Sequence, residues 1–191
     1  MVGGWWERMV GTVKRCLRKV LGRSSLTEEQ LNTTLISIEA AVNSRPITYS
    51  GDSDALTPAH FLIGGGLVTI PTGPEPETRK DLAKEFRLRL KLADDFWKRW
   101  QKEYLLQLRN FHEVRNPQKC RDIREGDVVL IQEDVRPRHM WRKAIVDGLL
   151  EGRDHNVRTV MLRTSEGGKF SRPVQLVVPL EVDQGGEDVK E

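Results

Sequence analysis

A chain of 191 residues has room for one domain or two small ones, and 38% hydrophobic with 31% charged residues is the make-up of a globular fold. No apolar run approaches membrane-spanning length, Arg and Lys interrupt the first helix too often for a signal peptide, and Cys16 and Cys120 make no disulfide framework, so a membrane or secreted protein is not expected and an intracellular one is. The net charge of +3 hides its distribution: +5 over residues 1–27, −6 over 28–78, +6 over 79–122 and −2 over 123–191, which suits a polyanion partner and a solvated face about equally.

The first helix is predicted from Gly3 to Leu21. Trp6, Val10, Val13, Leu17 and Val20 follow one another by steps of four and three and draw one apolar stripe. Glu7, Gly11, Lys14 and Arg18 share another face, a carboxylate at the top of a basic row to which Arg8, Arg15, Lys19 and Arg23 add charge. That is the arrangement a helix offers a phosphodiester: a metal ligand, then phosphate clamps. Gly22 to Ser25 reads as a stop.

Thr27 and Gln30 fit a capping box, which opens a second helix with Leu31, Leu35, Ile38 and Val42 on one side. It should end near Asn43, because Pro46 bars Arg45 from the helical conformation. Residues 46–78 hold five prolines and five glycines and read as irregular, apart from a helical turn around Thr57–Leu62 led by Pro58. From Arg79 to about Val114, Leu82, Phe86, Leu90, Ala93, Trp97, Trp100, Tyr104, Leu108 and Phe111 keep steps of three or four, predicting a helix roughly 50 Å long.

Strand grammar begins at Ile123. Val128–Ile131, Trp141–Leu150, Val157–Arg163, Lys169–Arg172 and Leu176–Val178 are separated by turn-rich patches, and five short strands of this size suggest a small SH3-like β-barrel. The acidic tail from Asp183 to Glu191 reads as disordered.

Three phrases then carry a resemblance. Gly4-Trp5-Trp6-Glu7-Arg8-Met9-Val10 resembles the segment bearing the last acid of the Asp-Asp-Glu integrase core of retrotransposons. Asn43-Ser44-Arg45-Pro46-Ile47-Thr48, followed by Leu56-Thr57-Pro58-Ala59-His60-Phe61-Leu62, resembles the end of that core in BEL/Pao-type elements. Phe96-Trp97-Lys98-Arg99-Trp100 with Glu103-Tyr104-Leu105, then Gly126-Asp127-Val128-Val129, resembles the uncharacterised domain that follows it.

The resemblance implies an α+β chain. Residues 1–65 would be the last helices of a ribonuclease H-like core, 66–78 a linker, 79–115 the long amphipathic helix, 116–182 the SH3-like barrel and 183–191 a disordered tail. It also implies an activity for the whole element: two Asp and one Glu hold two divalent ions, Mg²⁺ or Mn²⁺, which drive in-line attack on a phosphodiester. Glu7 matches the Glu, as metal ligand and catalytic residue, but the two Asp lie on strands that the family places before this helix. One Glu cannot hold two metals, so the chain by itself is expected to be a catalytically inactive remnant that needs no cofactor.

The expected partner is DNA, of the element's ends and of the host target, with the site nuclear if functional. Lys14, Arg15 and Arg18 would grip phosphates on the first helix, and Arg138, Arg142 and Lys143, clustered with Arg136, would do so on the barrel. Self-association, or association with the rest of the Pol polyprotein, is a further expected contact; a membrane is not. The alternative is a protein- or chromatin-interaction module, in which the long helix mediates assembly and the barrel reads a peptide with Trp141 as an aromatic wall.

Overall fold

The computed structural model describes residues 4–22, 25–49, 55–67, 80–115, 123–132, 137–153 and 157–182. In chain order its elements are α1 (Gly4–Leu21), α2 (Glu28–Asn43), β1 (Thr48–Tyr49), β2 (Ala55–Leu56), α3 (Pro58–Ile63), α4 (Lys80–Arg115), β3 (Val128–Ile131), β4 (Lys143–Glu151), β5 (Val157–Arg163), β6 (Lys169–Pro173), a 3₁₀ turn (Val174–Leu176) and β7 (Val177–Pro179). The class is α+β. The chain forms two compact units: a helical one of Met1–Ser44, Leu67–Tyr104 and Pro137–His139, and a sheet-bearing one of Arg45–Gly66, Leu105–Arg136 and Met140–Glu191. Residues 45–66, grouped with the first helices in the sequence reading, thus belong with the sheet. The linker from 68 onward, the tail 183–191 and Arg136 lie outside the described residues.

In the helical unit, α1 stops where Gly22 turns to φ +56° and donates its N–H to the Arg18 carbonyl at 3.0 Å. The expected stripe is rotated. Met9, Thr12 and Cys16 are buried, Val13, Leu17 and Val20 flank them, and Trp6 is 66% exposed. Cys16 lies within electrostatic reach of Arg99 and Glu103, so α4 covers this face.

The Thr27–Gln30 capping box forms as the sequence indicates, with Gln30 N–H on Thr27 Oγ1 at 3.3 Å and Thr27 N–H on Gln30 Oε1 at 3.1 Å. Here too the stripe differs from expectation. Thr34, Ile38 and Ala41 are the buried positions, and Leu31 and Leu35 face outward. Gln30 Nε2 then donates to Glu85 Oε1 at 3.2 Å, joining α2 to α4.

Between Leu92 and Tyr104 the long helix is buried over more than the single predicted stripe, because Leu92, Phe96 and Gln101 go in beside Ala93, Trp97, Trp100 and Tyr104. Its rings run in a column: Phe96 and Trp100 stack at 6.3 Å between centroids and Trp100 and Tyr104 at 5.5 Å.

In the sheet unit, five antiparallel strands lie in the order β6-β5-β4-β3-β7. Their strand ends sit within two residues of those read from sequence. Alternation sends Val129, Ile131, Ala144, Val146, Val160, Leu162 and Val177 into one core with Ile123. Strand β3 is buried on both faces, since Val128 and Leu130 are covered as well. The C-terminal turns of α4 are tied to this sheet: Arg109 Nη2 donates to Gln132 Oε1 at 2.9 Å and to the Gln175 carbonyl at 2.7 Å, and His112 Nε2 meets the Leu180 carbonyl at 2.8 Å.

Part of the stretch read as irregular is ordered. Thr48 pairs with Leu56 and Tyr49 with Ala55 in a short hairpin, and α3 follows with Pro58 at its start. The Val182 N–H donates to Ile47 O at 3.1 Å, fastening this hairpin to the end of β7.

Candidate nucleic-acid interface

Helix geometry places Glu7, Gly11, Lys14 and Arg18 along one line, and all four are exposed. Arg15 is exposed too but is directed elsewhere, since its Nη2 donates to Thr12 Oγ1 at 3.1 Å. Thr12 in turn donates to the Arg8 carbonyl at 3.0 Å, which is how a hydroxyl sits at the buried centre of α1. Next to it, burial pushes the Cys16 thiol above its ordinary pKa, Glu103 pushes the same way, and Arg99, Arg15 and Lys19 oppose it. This thiol is packing material and not a nucleophile.

Glu7 does not by itself fit the divalent pair that the resemblance implies. Among the described residues, no three His, Cys, Asp or Glu side chains gather where they could hold a metal ion. A single exposed carboxylate lacks the bridging and terminal ligands a two-metal site needs.

The second basic group is on the sheet. Arg142, Lys143 and Arg163 line a groove of about 540 Å³ together with Tyr49, Trp141 and Glu166. Phe170, half-buried against the sheet core, seats the guanidinium of Arg142 4.9 Å from its ring centre and that of Arg172 at 5.3 Å. Arg163 is oriented by Asp147, whose Oδ1 lies 3.5 Å from Arg163 Nε and whose Oδ2 accepts from Lys169 Nζ at 2.6 Å. The hydrogen bond from Lys169 holds the Asp147 carboxyl below the usual carboxylate range, partial burial opposes it, and the charges of Lys169 and Arg163 assist.

Arg138 is not part of this group. It belongs to the helical unit, where its Nε pairs with Asp94 Oδ1 at 3.0 Å, whereas Arg142 and Lys143 belong to the sheet unit. Beside it His139 adopts φ +65°, lies over Trp97 with 5.6 Å between ring centres, and meets Ser44 Oγ at 3.3 Å.

With the geometry in view, comparison with known families adds one finding. Residues 84–180 match the family of unknown function DUF5641, just over half of the chain. The chain belongs to this family. The DUF5641 segment contains the phrases Phe96–Trp100 and Gly126–Val129, and it contains every residue of the sheet groove named above except Tyr49. None of the curated proteins compared with the chain matches it.

Two groove residues, Tyr49 and Arg163, and the Phe170 ring that seats Arg142 escaped the sequence reading. Tyr49 sits in a run that Pro46 and the following glycines make look like a loop, although Ile47-Thr48-Tyr49 has strand propensity. Arg163 is hidden by its position at the end of an alternating strand. Phe170 as the seat for Arg142 needs tertiary structure, because Arg142 directly precedes β4 while Phe170 is on β6, with β5 between the two strands.

Proposed function

We propose that the chain is the C-terminal part of a BEL/Pao-type retrotransposon integrase: the last helices of a ribonuclease H-like core, the long aromatic helix and an SH3-like barrel. Its own activity is nucleic-acid binding. Joining of element and host DNA belongs to the full-length protein, where Glu7 would complete a Mg²⁺ or Mn²⁺ site whose two Asp come from upstream.

The observation that carries this reading is the sheet groove, in which Arg142, Lys143 and Arg163 face one another's surroundings with only Glu166 as acid among the lining side chains. The exposed row of Lys14 and Arg18 on α1 supports it from the other unit. A meander of four strands, with a fifth returning through one 3₁₀ turn to pair with the first, supports the SH3-like assignment of the sheet. The DUF5641 match covers the segment that the resemblance sets after the catalytic core.

The test is binding of the purified chain to labelled oligonucleotides with and without Mg²⁺ or Mn²⁺. Wild type binds, and Lys14→Ala with Arg18→Ala weakens it. Nicking or joining that is lost in Glu7→Gln would overturn the assignment of the isolated chain as inactive.

A second reading, an interaction module, has its own observation. Phe61, Leu62 and Ile63 of α3 are 72%, 68% and 67% exposed, a concentration of apolar surface that suits a protein contact. The long helix offers less, because Trp97 and Trp100 are fully buried inside their own unit. Self-association that persists in high salt and is lost in Phe61→Ser with Leu62→Ser would favour this reading.

A further inference from the structure

The groove on the sheet places aromatic surface and positive charge in the same trough. Tyr49 and Trp141 stand in it with Arg142, Lys143 and Arg163. A duplex uses only part of this set: its bases are stacked on one another, so it presents phosphates and base edges, and an aromatic ring finds no base face to cover. A single strand uses all of it, because phosphates meet the cations while unstacked bases lie against the rings.

Size points the same way. About 540 Å³ is the scale of a site for a small organic molecule, enough for a nucleotide or two. Glu166 adds a chemical preference, since a carboxylate repels phosphate yet accepts a hydrogen bond from an exocyclic amino group such as that of cytosine. The Phe170 ring beneath Arg142 holds one cation in place before the ligand arrives, which lowers the ordering cost of binding.

We infer that this groove is a single-strand-selective nucleic-acid site, with bases on Tyr49 and Trp141 and phosphates on Arg142, Lys143 and Arg163. The inference rests on the nucleic-acid reading above and names the form of the ligand.

The experiment is fluorescence anisotropy of the full chain at fixed low salt. One probe is a labelled pyrimidine-rich oligodeoxynucleotide of about 12 residues, the other the duplex of the same sequence. The single strand is expected to bind more tightly. Tyr49→Leu is expected to weaken its binding on the order of tenfold and to bring the ratio of the two affinities toward one. Trp141→Leu, which removes the other ring of the groove, is expected to move the ratio the same way and carries the test if a thermal melt shows that Tyr49→Leu does not fold.

Equal affinity for both forms, unchanged by either substitution, overturns the inference and leaves nucleic-acid binding standing. No binding of either form overturns both. Displacement of the single strand by an acidic peptide at lower concentration than by unlabelled oligonucleotide overturns it in favour of a peptide ligand.

Discussion

Arg45 Nε lies 2.8 Å from Glu181 Oε1, an ion pair spanning 136 residues of chain with both side chains only about a tenth exposed. Arg45 stands directly before Pro46 at the start of the sheet unit, so the pair fastens that start to the residues following β7. Removing one partner takes this opposite charge away from the other at a site about nine-tenths buried, which costs stability. Glu181→Gln and Arg45→Ala are each expected to destabilise the sheet unit by about 3 kcal/mol in urea unfolding. The double variant should cost clearly less than the sum.

Two glycines are expected to respond with opposite sign. Gly126 has φ +91° and donates its N–H to the Val146 carbonyl at 2.8 Å, and Asp127 Oδ2 accepts from the Arg124 N–H at 2.8 Å to close the same turn. A Cβ at Gly126 meets no atom within 4 Å, so Gly126→Ala strains the backbone alone, by about 1–2 kcal/mol. Gly11 sits within α1 with equally open space and ordinary helical φ, so Gly11→Ala is expected to stabilise by about 1 kcal/mol. Thermal melts of the two variants check both.

The sequence made helices and strands legible where one signal dominated. The capping box at Thr27, the stop at Gly22 and the alternation of Val157–Arg163 are local chemistry, and each forms in place. Helix phase was harder to read. Thr12 and Thr34 are buried because each hydroxyl donates to a carbonyl one turn back, at 3.0 and 2.7 Å, so hydropathy counts them on the wrong side. Trp6, Leu31 and Leu35 then remain outside although they complete an apolar stripe.

The candidate site was half legible. Arg142 and Lys143 stand out as adjacent charges, but their companions Tyr49 and Arg163 come from distant segments that only the hairpin and the sheet register bring to one groove. Spacing also joined Arg138 to them, but it belongs to the helical unit and pairs there with Asp94.

His139 makes the helical unit sensitive to pH. Burial pushes its imidazole below the ordinary 6.5, the Arg138 charge pushes the same way, and a backbone hydrogen bond at Ala40 opposes them. The folded protein therefore binds this proton less readily than the unfolded chain does. Stability is full above about pH 6.5 and is lost as pH falls from there toward the depressed native value. The melting temperature should drop between about pH 7.5 and pH 5.5. His139→Asn, which tolerates the left-handed backbone, should flatten that part of the profile.

The aromatic column of α4 is expected to dominate the stability of its unit. Trp100 is wholly buried and stacks on both Phe96 and Tyr104. Trp100→Ala should cost about 3–5 kcal/mol, and Trp100→Phe considerably less because it retains most of the ring contact. Loss of helical circular dichroism on mild heating of Trp100→Ala, with the wild type unchanged, is the readout. An assembly role assigned from that variant would confuse unfolding with loss of an interface.

The most direct test of nucleic-acid binding is the affinity of the full chain for a labelled oligonucleotide measured across a salt series. Contacts by Lys14, Arg18, Arg142, Lys143 and Arg163 should give a steep linear fall of log K with log salt. Each phosphate neutralised on a single strand contributes a slope of about −0.7. The slope should become shallower by about two such steps in Lys14→Ala with Arg18→Ala. Absent binding at low salt, or an affinity that does not change with salt, would contradict the account and favour the interaction module centred on α3.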